Sequence, residues 1–331
     1  MADGHAPFSA RPEDQAANLP DWPVFGLDAD MRPFLARARA DGEAAALVTL
    51  VKAEGGGPRR PGAQMAVTKD DVSGFLSGGC VEADIVCHAR ACLADGRPRT
   101  LVYGDGSPFF DIRLLCGRCI EVRIERLMPD DVAVGRLLDL TARRLNALWI
   151  SDGIVRLCEP GHDNREIIET RDNVLLKLYR PHLRFTIVGR DPAVLAMATL
   201  ASQSGLETTI VRVNGPAVPP PLANIGYCRS PIDENLDPRT AVVVAQHDFD
   251  ADHAAVITAL RSPAAYVGLM GARRQIDAHL AKLETEGLSD ERLSALKAPV
   301  GLPLGSHTPW EIAVSVIGEV MQHFNAQHHR A

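Results

Sequence analysis

Apolar positions in this chain recur with two rhythms. A helical period picks out residues 29–40, where Met31, Phe34 and Leu35 form a stripe that Asp41-Gly42 closes. It returns from Cys80 to about residue 95, with Val81, Ile85, Ala89 and Cys92 on one side and Asp95-Gly96 as the stop. Short β-branched or alternating runs predict strands at 46–52, 64–69, 100–103 and 120–125. Strict alternation in the last of these gives it one buried and one polar face. Residues 131–146 read as a helix, and a hairpin follows with strands at 147–150 and 154–157 around Asp152-Gly153. The stretch 159–171 is polar and irregular, which suits an interdomain connection.

Beyond it the pattern changes. Residues 184–188 are a continuous apolar strand of the kind buried on both faces of a parallel sheet. Gly189-Arg190-Asp191-Pro192 turns the chain, Pro192 opens a helix through Ser204, and a strand follows at 207–213. Further strands are expected at 241–245 and 265–269 around a helix at 251–261, with a short helix capped by Ser289 and a capping box, Thr308 to Glu311, opening a helix over 312–324. The expected organisation is a leader (1–28), an N-terminal mixed α/β domain (29–158), a connection (159–182) and a Rossmann-like parallel-sheet domain (183–331). The dinucleotide fingerprint is nearly erased: only Gly189 stands where three glycines belong, and the second strand ends in Val213-Asn214 with no acid for a ribose. That counts against NAD(P), and so against the competing reading of an NAD(P)-dependent oxidoreductase.

A length of 331 residues favours two domains, and a hydrophobic content of 46% fits a globular protein. Without a membrane-length apolar run or a signal-type N-terminus, the expectation is a cytoplasmic protein. A net charge of −7 and no long basic run argue against general nucleic-acid binding. The seven cysteines lack the spacing of a secreted disulfide scaffold and are expected as thiols.

The candidate chemistry centres on Ser77-Gly78-Gly79-Cys80-Val81-Glu82. The two glycines permit a tight turn, and a helix starting at Cys80 would set free amides and a helix dipole beside its sulfur, favouring a thiolate. Against this stands a plain turn followed by a small buried residue. Arg59 and Arg60, in the glycine- and proline-rich loop 54–62, form either an anion cradle or a solvated basic turn. Gly271, Arg273 and Arg274 at a helix start offer a second phosphate receiver, unless the arginines only cover the helix surface. Cys116 and Cys119 form a lone CxxC; with Cys80 they would make three cysteines for a zinc reading that lacks a second matching pair.

Taken together, Pro58-Arg-Arg-Pro-Gly-Ala63, Ser77–Glu82, Leu115-Cys-Gly117 with Ile120-Glu-Val122, Tyr266–Gly271 with Arg273-Arg274, and Pro299–Leu302 with Thr308–Ala313 resemble the XdhC/CoxI family of xanthine dehydrogenase accessory proteins. The resemblance implies a maturation factor rather than a turnover enzyme, with no catalytic residue in the strict sense. It would bind the molybdenum cofactor (molybdopterin) during sulfuration and pass it to a xanthine dehydrogenase-type molybdenum hydroxylase. A cysteine desulfurase would be a further partner and a homodimer the assembly. The family's central cysteine maps to Cys80, a candidate molybdenum ligand, and its Cys-Gly cysteine to Cys116. Gly78, Gly79, Glu82, Arg59, Arg60, Gly271, Arg273 and Arg274 complete the expected cofactor-binding set.

Overall fold

The computed structural model describes residues 19–55, 59–77, 79, 81–104, 119–162 and 168–327. Three of the expected site residues, Gly78, Cys80 and Cys116, lie outside these. The chain divides into two compact units, Met1–Arg180 and Pro181–Ala331.

In the first unit a short 3-10 turn (Val24–Leu27) precedes α1 (Arg32–Ala40), whose Phe34, Leu35 and Ala38 are buried as the periodicity requires. Strands β1 (Ala45–Ala53), β2 (Gln64–Val67) and β3 (Val72–Gly74) lead to α2 (Glu82–Asp95), and β4 (Arg99–Tyr103) and β5 (Ile120–Leu127) follow. These strands form one antiparallel sheet in the order β3-β2-β1-β5-β4. One face of the sheet packs on α2 through Val48, Leu50, Val122 and Ile124 against Ile85, Ala89 and Cys92. Gly96 ends α2 in the left-handed conformation that the Asp95-Gly96 signal predicts.

Helix α3 (Val132–Ala142) begins where Asp131 accepts from the amides of Ala133 and Val134. A second sheet then forms from β6 (Ala147–Ser151), β7 (Arg156–Pro160), β8 (Ile168–Arg171) and β9 (Val174–Tyr179), in the order β7-β6-β9-β8. The stretch 159–182, expected as a connection, thus carries two complete strands and the end of a third. Val174-Leu-Leu-Lys-Leu-Tyr179 is apolar enough to pair with β6 and bury Leu175, Leu178 and Tyr179; the polar residues before it conceal this. The second hairpin strand starts at Arg156 rather than Ile154. Asp152 accepts from the amides of both Ile154 and Val155, which lengthens the turn.

The second unit contains β10 (Arg184–Gly189), α4 (Pro192–Gln203), β11 (Glu207–Val211), β12 (Gly226–Cys228), β13 (Thr240–Ala245), α5 (Phe249–Arg261), β14 (Tyr266–Leu269), α6 (Arg273–Leu283), α7 (Asp290–Ser294), β15 (Leu296–Lys297) and α8 (Pro309–Gln327). Its six strands are all parallel, in the order β12-β11-β10-β13-β14-β15. The reversal beside β10 is the switch point of a doubly wound fold. Helices α4 and α8 pack on one face and α5 and α6 on the other, over the continuous apolar strands β10 and β13. Glycine is required at 189, where an added Cβ would stand 2.5 Å from the Ala245 carbonyl oxygen on the neighbouring strand.

Candidate functional site

Strand register gathers the N-terminal candidates at one end of the five-stranded sheet. Ala53 pairs with Ile120 and Ile120 with Tyr103, so the end of β1, the start of β5 and the end of β4 lie side by side. Gln64 pairs with Thr49 and Met65 with Gly74, which brings the start of β2 and the end of β3 to the same end. The connections 54–63, 75–81 and 104–119 therefore all leave from this end. Arg59, Arg60, Gly79, Glu82 and Cys119 lie on or beside them, although they are widely separated in the chain.

Two contacts tie these loops together. The Arg59 guanidinium stacks 4.8 Å above the Phe75 ring, joining the arginine loop to the one that enters α2. Partial burial there lowers the Arg59 pKa without threatening its charge. The amide of Glu54 donates to the Cys119 carbonyl at 2.8 Å, fixing the first residue of the arginine loop beside the last cysteine of the CxxC pair. Arg60 and Gly79 are exposed; the latter has φ 111°, and an added Cβ would meet no atom within 4 Å. The backbone is thus open to close approach on that side.

Glu82, expected among the cofactor-binding groups, turns inward instead. It is 1% exposed. One carboxylate oxygen accepts from the amides of Leu76 (2.9 Å) and Ser77 (2.6 Å). The other accepts from the Ser77 hydroxyl (2.7 Å) and the amides of Gly79 (2.9 Å) and Val81 (3.2 Å). Burial alone would push this carboxyl up, but donors from Ser77 and Leu76 outweigh it and hold the group below the usual carboxylate range. Glu82 is therefore the post around which the loop is wound. The helix begins at Glu82 with Val81 as N-cap, two residues later than the periodicity predicts. Of the helix-start amides that the sequence reading assigns to the Cys80 sulfur, that of Val81 is engaged by Glu82.

Further polar groups sit in the first turns of α2. The Tyr103 hydroxyl donates to Asp84 at 2.7 Å, and His88 Nε2 lies 3.7 Å from the same carboxylate. Burial, then Asp84, drives the Tyr103 pKa upward, so the phenol stays protonated. The base of the arginine loop is held from the other sheet. Lys177, buried on β9, donates to the Gly62 carbonyl at 2.8 Å, and its ammonium lies 4.6 Å from the centre of the Tyr179 ring. Tyr179 in turn donates to Gln64, whose amide nitrogen donates to Thr49.

Burial lowers the Lys177 pKa to about 8. Between that value and the ordinary 10.5 the unfolded chain holds the extra proton, so this residue's contribution to stability grows as pH rises through that window. In thermal melts of wild type and Lys177→Met across this window, the wild type is expected to gain on the variant with rising pH. Parallel curves would contradict this.

In the second unit, the loops after β10, β13 and β14 face the C-terminal edge of the parallel sheet. Arg273 and Arg274 are exposed at the start of α6, whose N-cap Ala272 makes no side-chain cap, and Gly271 precedes them. The α4 N-terminus, where a Rossmann fold receives pyrophosphate, is closed by this chain's own carboxylate. Asp191 accepts from the Val194 amide at 2.9 Å with one oxygen and meets His247 Nε2 at 2.6 Å with the other. A dinucleotide phosphate there would face a carboxylate in place of free amides.

Sequence reading missed Phe75, Lys177 and the Asp191–His247 pair. A lone lysine inside an apolar strand signals Lys177; nothing local signals a pair 56 residues apart. Among the described residues no group of three or more His, Cys, Asp or Glu side chains could hold a metal ion, and no helix is long and apolar enough to cross a membrane.

Comparison with known proteins adds a second line of observation. Residues 185–320 match the family model described as the XdhC Rossmann domain, and residues 38–104 match that of the XdhC and CoxI family. The chain is 32% identical over 293 residues to the molybdenum cofactor insertion chaperone PaoD of Escherichia coli K12, covering 87% of this chain and 86% of that protein. It is 27% identical over 327 residues to a probable xanthine dehydrogenase subunit of Bacillus subtilis 168, covering 85% and 94% respectively. A crystal structure described as that of a xanthine dehydrogenase from Bacillus halodurans superposes with a TM-score of 0.69 at 21% identity, over 89% of this chain and 96% of that one; this likeness concerns the fold.

Proposed function

This chain belongs to the XdhC and CoxI family, and on that premise we propose that it binds the molybdenum cofactor, protects it during sulfuration and inserts it into a xanthine dehydrogenase-type molybdenum enzyme. The observation that carries the proposal is the likeness to PaoD, which runs through both units of the chain. A maturation factor of this kind needs residues that bind, orient and shield; it needs no residue that makes or breaks bonds in turnover.

The end of the five-stranded sheet fits such a cargo. Arg59, held against Phe75, offers a fixed guanidinium fork for a phosphate, and Arg60 adds positive charge. Gly79 leaves room for close approach of a large planar group. Cys80 stands between Gly79 and Val81 in the chain, and Cys116 shortly before Cys119, so both enter the reading through neighbours at this end. The soft Cys80 sulfur is assigned to the molybdenum centre. Gly78 belongs to the same loop, with Cys116 as a second sulfur. Glu82 acts through the loop rather than on the cofactor. Gly271, Arg273 and Arg274 form a second anion-receiving surface, on the Rossmann unit.

The partners follow from this role: a molybdenum hydroxylase as client, a cysteine desulfurase as source of the sulfido sulfur, and a homodimer in the cytoplasm as the working form. Production of a xanthine dehydrogenase-type client with and without this chain tests the proposal. Client made without it is expected to contain full protein but several-fold less sulfurated molybdenum cofactor and correspondingly low activity. Equal molybdenum content and activity in both preparations would overturn it.

A further inference from the structure

We propose that a cavity at the start of strand β4, on the edge of the first unit's five-stranded sheet, binds the oxyanion group of a small metabolite, phosphoryl or carboxylate, through Arg123. The cavity measures about 180 Å³ and lies where β4 and β5 meet the turns of the β6–β7 and β8–β9 hairpins. Its walls include Arg99, Thr100, Arg123, Ser151, Gly153 and Asn173. Strand β4 begins here at Arg99 and ends at Tyr103, where the loop cluster of the cargo site begins, so the two sites lie at the two ends of this strand.

Free donors, not net charge, give the site its preference. Arg123 donates to the Asn173 carbonyl (2.6 Å) and side-chain oxygen (2.7 Å), and no carboxylate stands within ion-pairing distance of it among the described residues. A guanidinium carries five N–H donors, so three remain, and the buried Nε has no partner. Arg99 is paired with Asp95 in a bidentate contact, and its Nε is likewise buried without a partner.

Two carboxylates, Glu125 and Asp152, also line the cavity, and both are taken up by hydrogen bonds within the chain. Glu125 accepts from Trp149, Ser151 and Arg156, and it shares the last with Asp131. Asp152 accepts from the amides of its own turn. Arg123 is thus the one cation lining the cavity without an anion among the described residues. The Thr100 hydroxyl is a lining group able to add a donor to the shell of an oxyanion, whereas the Ser151 hydroxyl is already given to Glu125. A ligand seated there would join the two hairpin turns of the second sheet to the edge of the first, making the cavity a regulatory rather than a cargo site.

The test is calorimetric titration of the full chain with inorganic phosphate and, separately, with acetate, each at ionic strength held constant with sodium chloride. One of the two is expected to saturate a single site, and which one does so distinguishes phosphoryl from carboxylate recognition. That component should survive Arg59→Gln and Arg273→Ala and weaken at least about tenfold in Arg123→Gln. Asn173→Asp is the second variant, because it places a competing carboxylate on the Arg123 fork while leaving β5 intact; aspartate tolerates the positive φ at that position. It too should abolish binding. Absence of saturable binding by either anion, or binding equally strong in Arg123→Gln and Asn173→Asp, would overturn the proposal.

Discussion

Replacing Glu82 by alanine is expected to destabilise the first unit by about 3–5 kcal/mol, because it removes the acceptor for five buried or half-buried donors at once. No water reaches Leu76, Ser77 and Val81 freely to replace it. Glutamine should rescue little: its oxygen can serve one side of the site, but its NH₂ group would then face donors on the other. Melts of the wild type and both variants, followed separately for the two units, check this. A loss confined to the first unit and nearly as large in Glu82→Gln as in Glu82→Ala is the expected result, and near-wild-type stability of either variant would contradict it.

The same carboxylate sets an acid limit. Since folding holds the Glu82 carboxyl below its unfolded value, unfolded chains take up the proton first as pH falls. Its contribution is complete above the ordinary carboxylate range and is lost as pH drops through the lowered folded value. Acid below the ordinary carboxylate range should therefore weaken the loop wound on Glu82, at the place where the cargo is proposed to bind.

Replacing Cys80 by alanine carries the second large effect, this time on binding rather than folding. Sulfur is the soft donor that suits a molybdenum centre, and alanine offers no donor, so retention of cofactor should fall at least about tenfold. Stability should change little, since the loop's hydrogen bonds run to Glu82. The two variants thus separate the roles within one six-residue stretch: Glu82 shapes the loop, and Cys80 is the residue proposed to hold the cargo. The sequence reading attributes an activated thiolate to free amides at a helix start. Of those amides Glu82 engages that of Val81, and positive charge from Arg59 and Arg60 is a further support proposed for an anion there.

Most of the architecture was legible because its signals are local. Asp95-Gly96 closes α2, Pro192 opens α4, and the Thr308–Glu311 box opens α8, with Glu311 accepting from the amides of His307 and Thr308. Strand β9 is hidden by the polar residues before it, and the reason for Lys177 within it, the Gly62 carbonyl, lies 115 residues away. Candidate residues were legible as a set but not in their roles. Glu82 follows Cys80 closely and reads as another ligand, yet a carboxylate at the first position of a helix can as easily fold back on the turn before it. Only the register of β1 with β2 and β5 shows that Arg59, Gly79 and Cys119 share one end of a sheet. The closing of the α4 N-terminus depends on a histidine delivered by a different strand, which no local pattern encodes.

The most direct measurement is to mix purified chain with isolated molybdenum cofactor, remove free cofactor by gel filtration, and quantify bound pterin and molybdenum for wild type and Cys80→Ala. Near-stoichiometric retention by the wild type, lost in the variant while its melting curve is unchanged, is the result predicted. No retention by the wild type would contradict the carrier function itself, and equal retention by both proteins would contradict the placement of the cargo at Cys80.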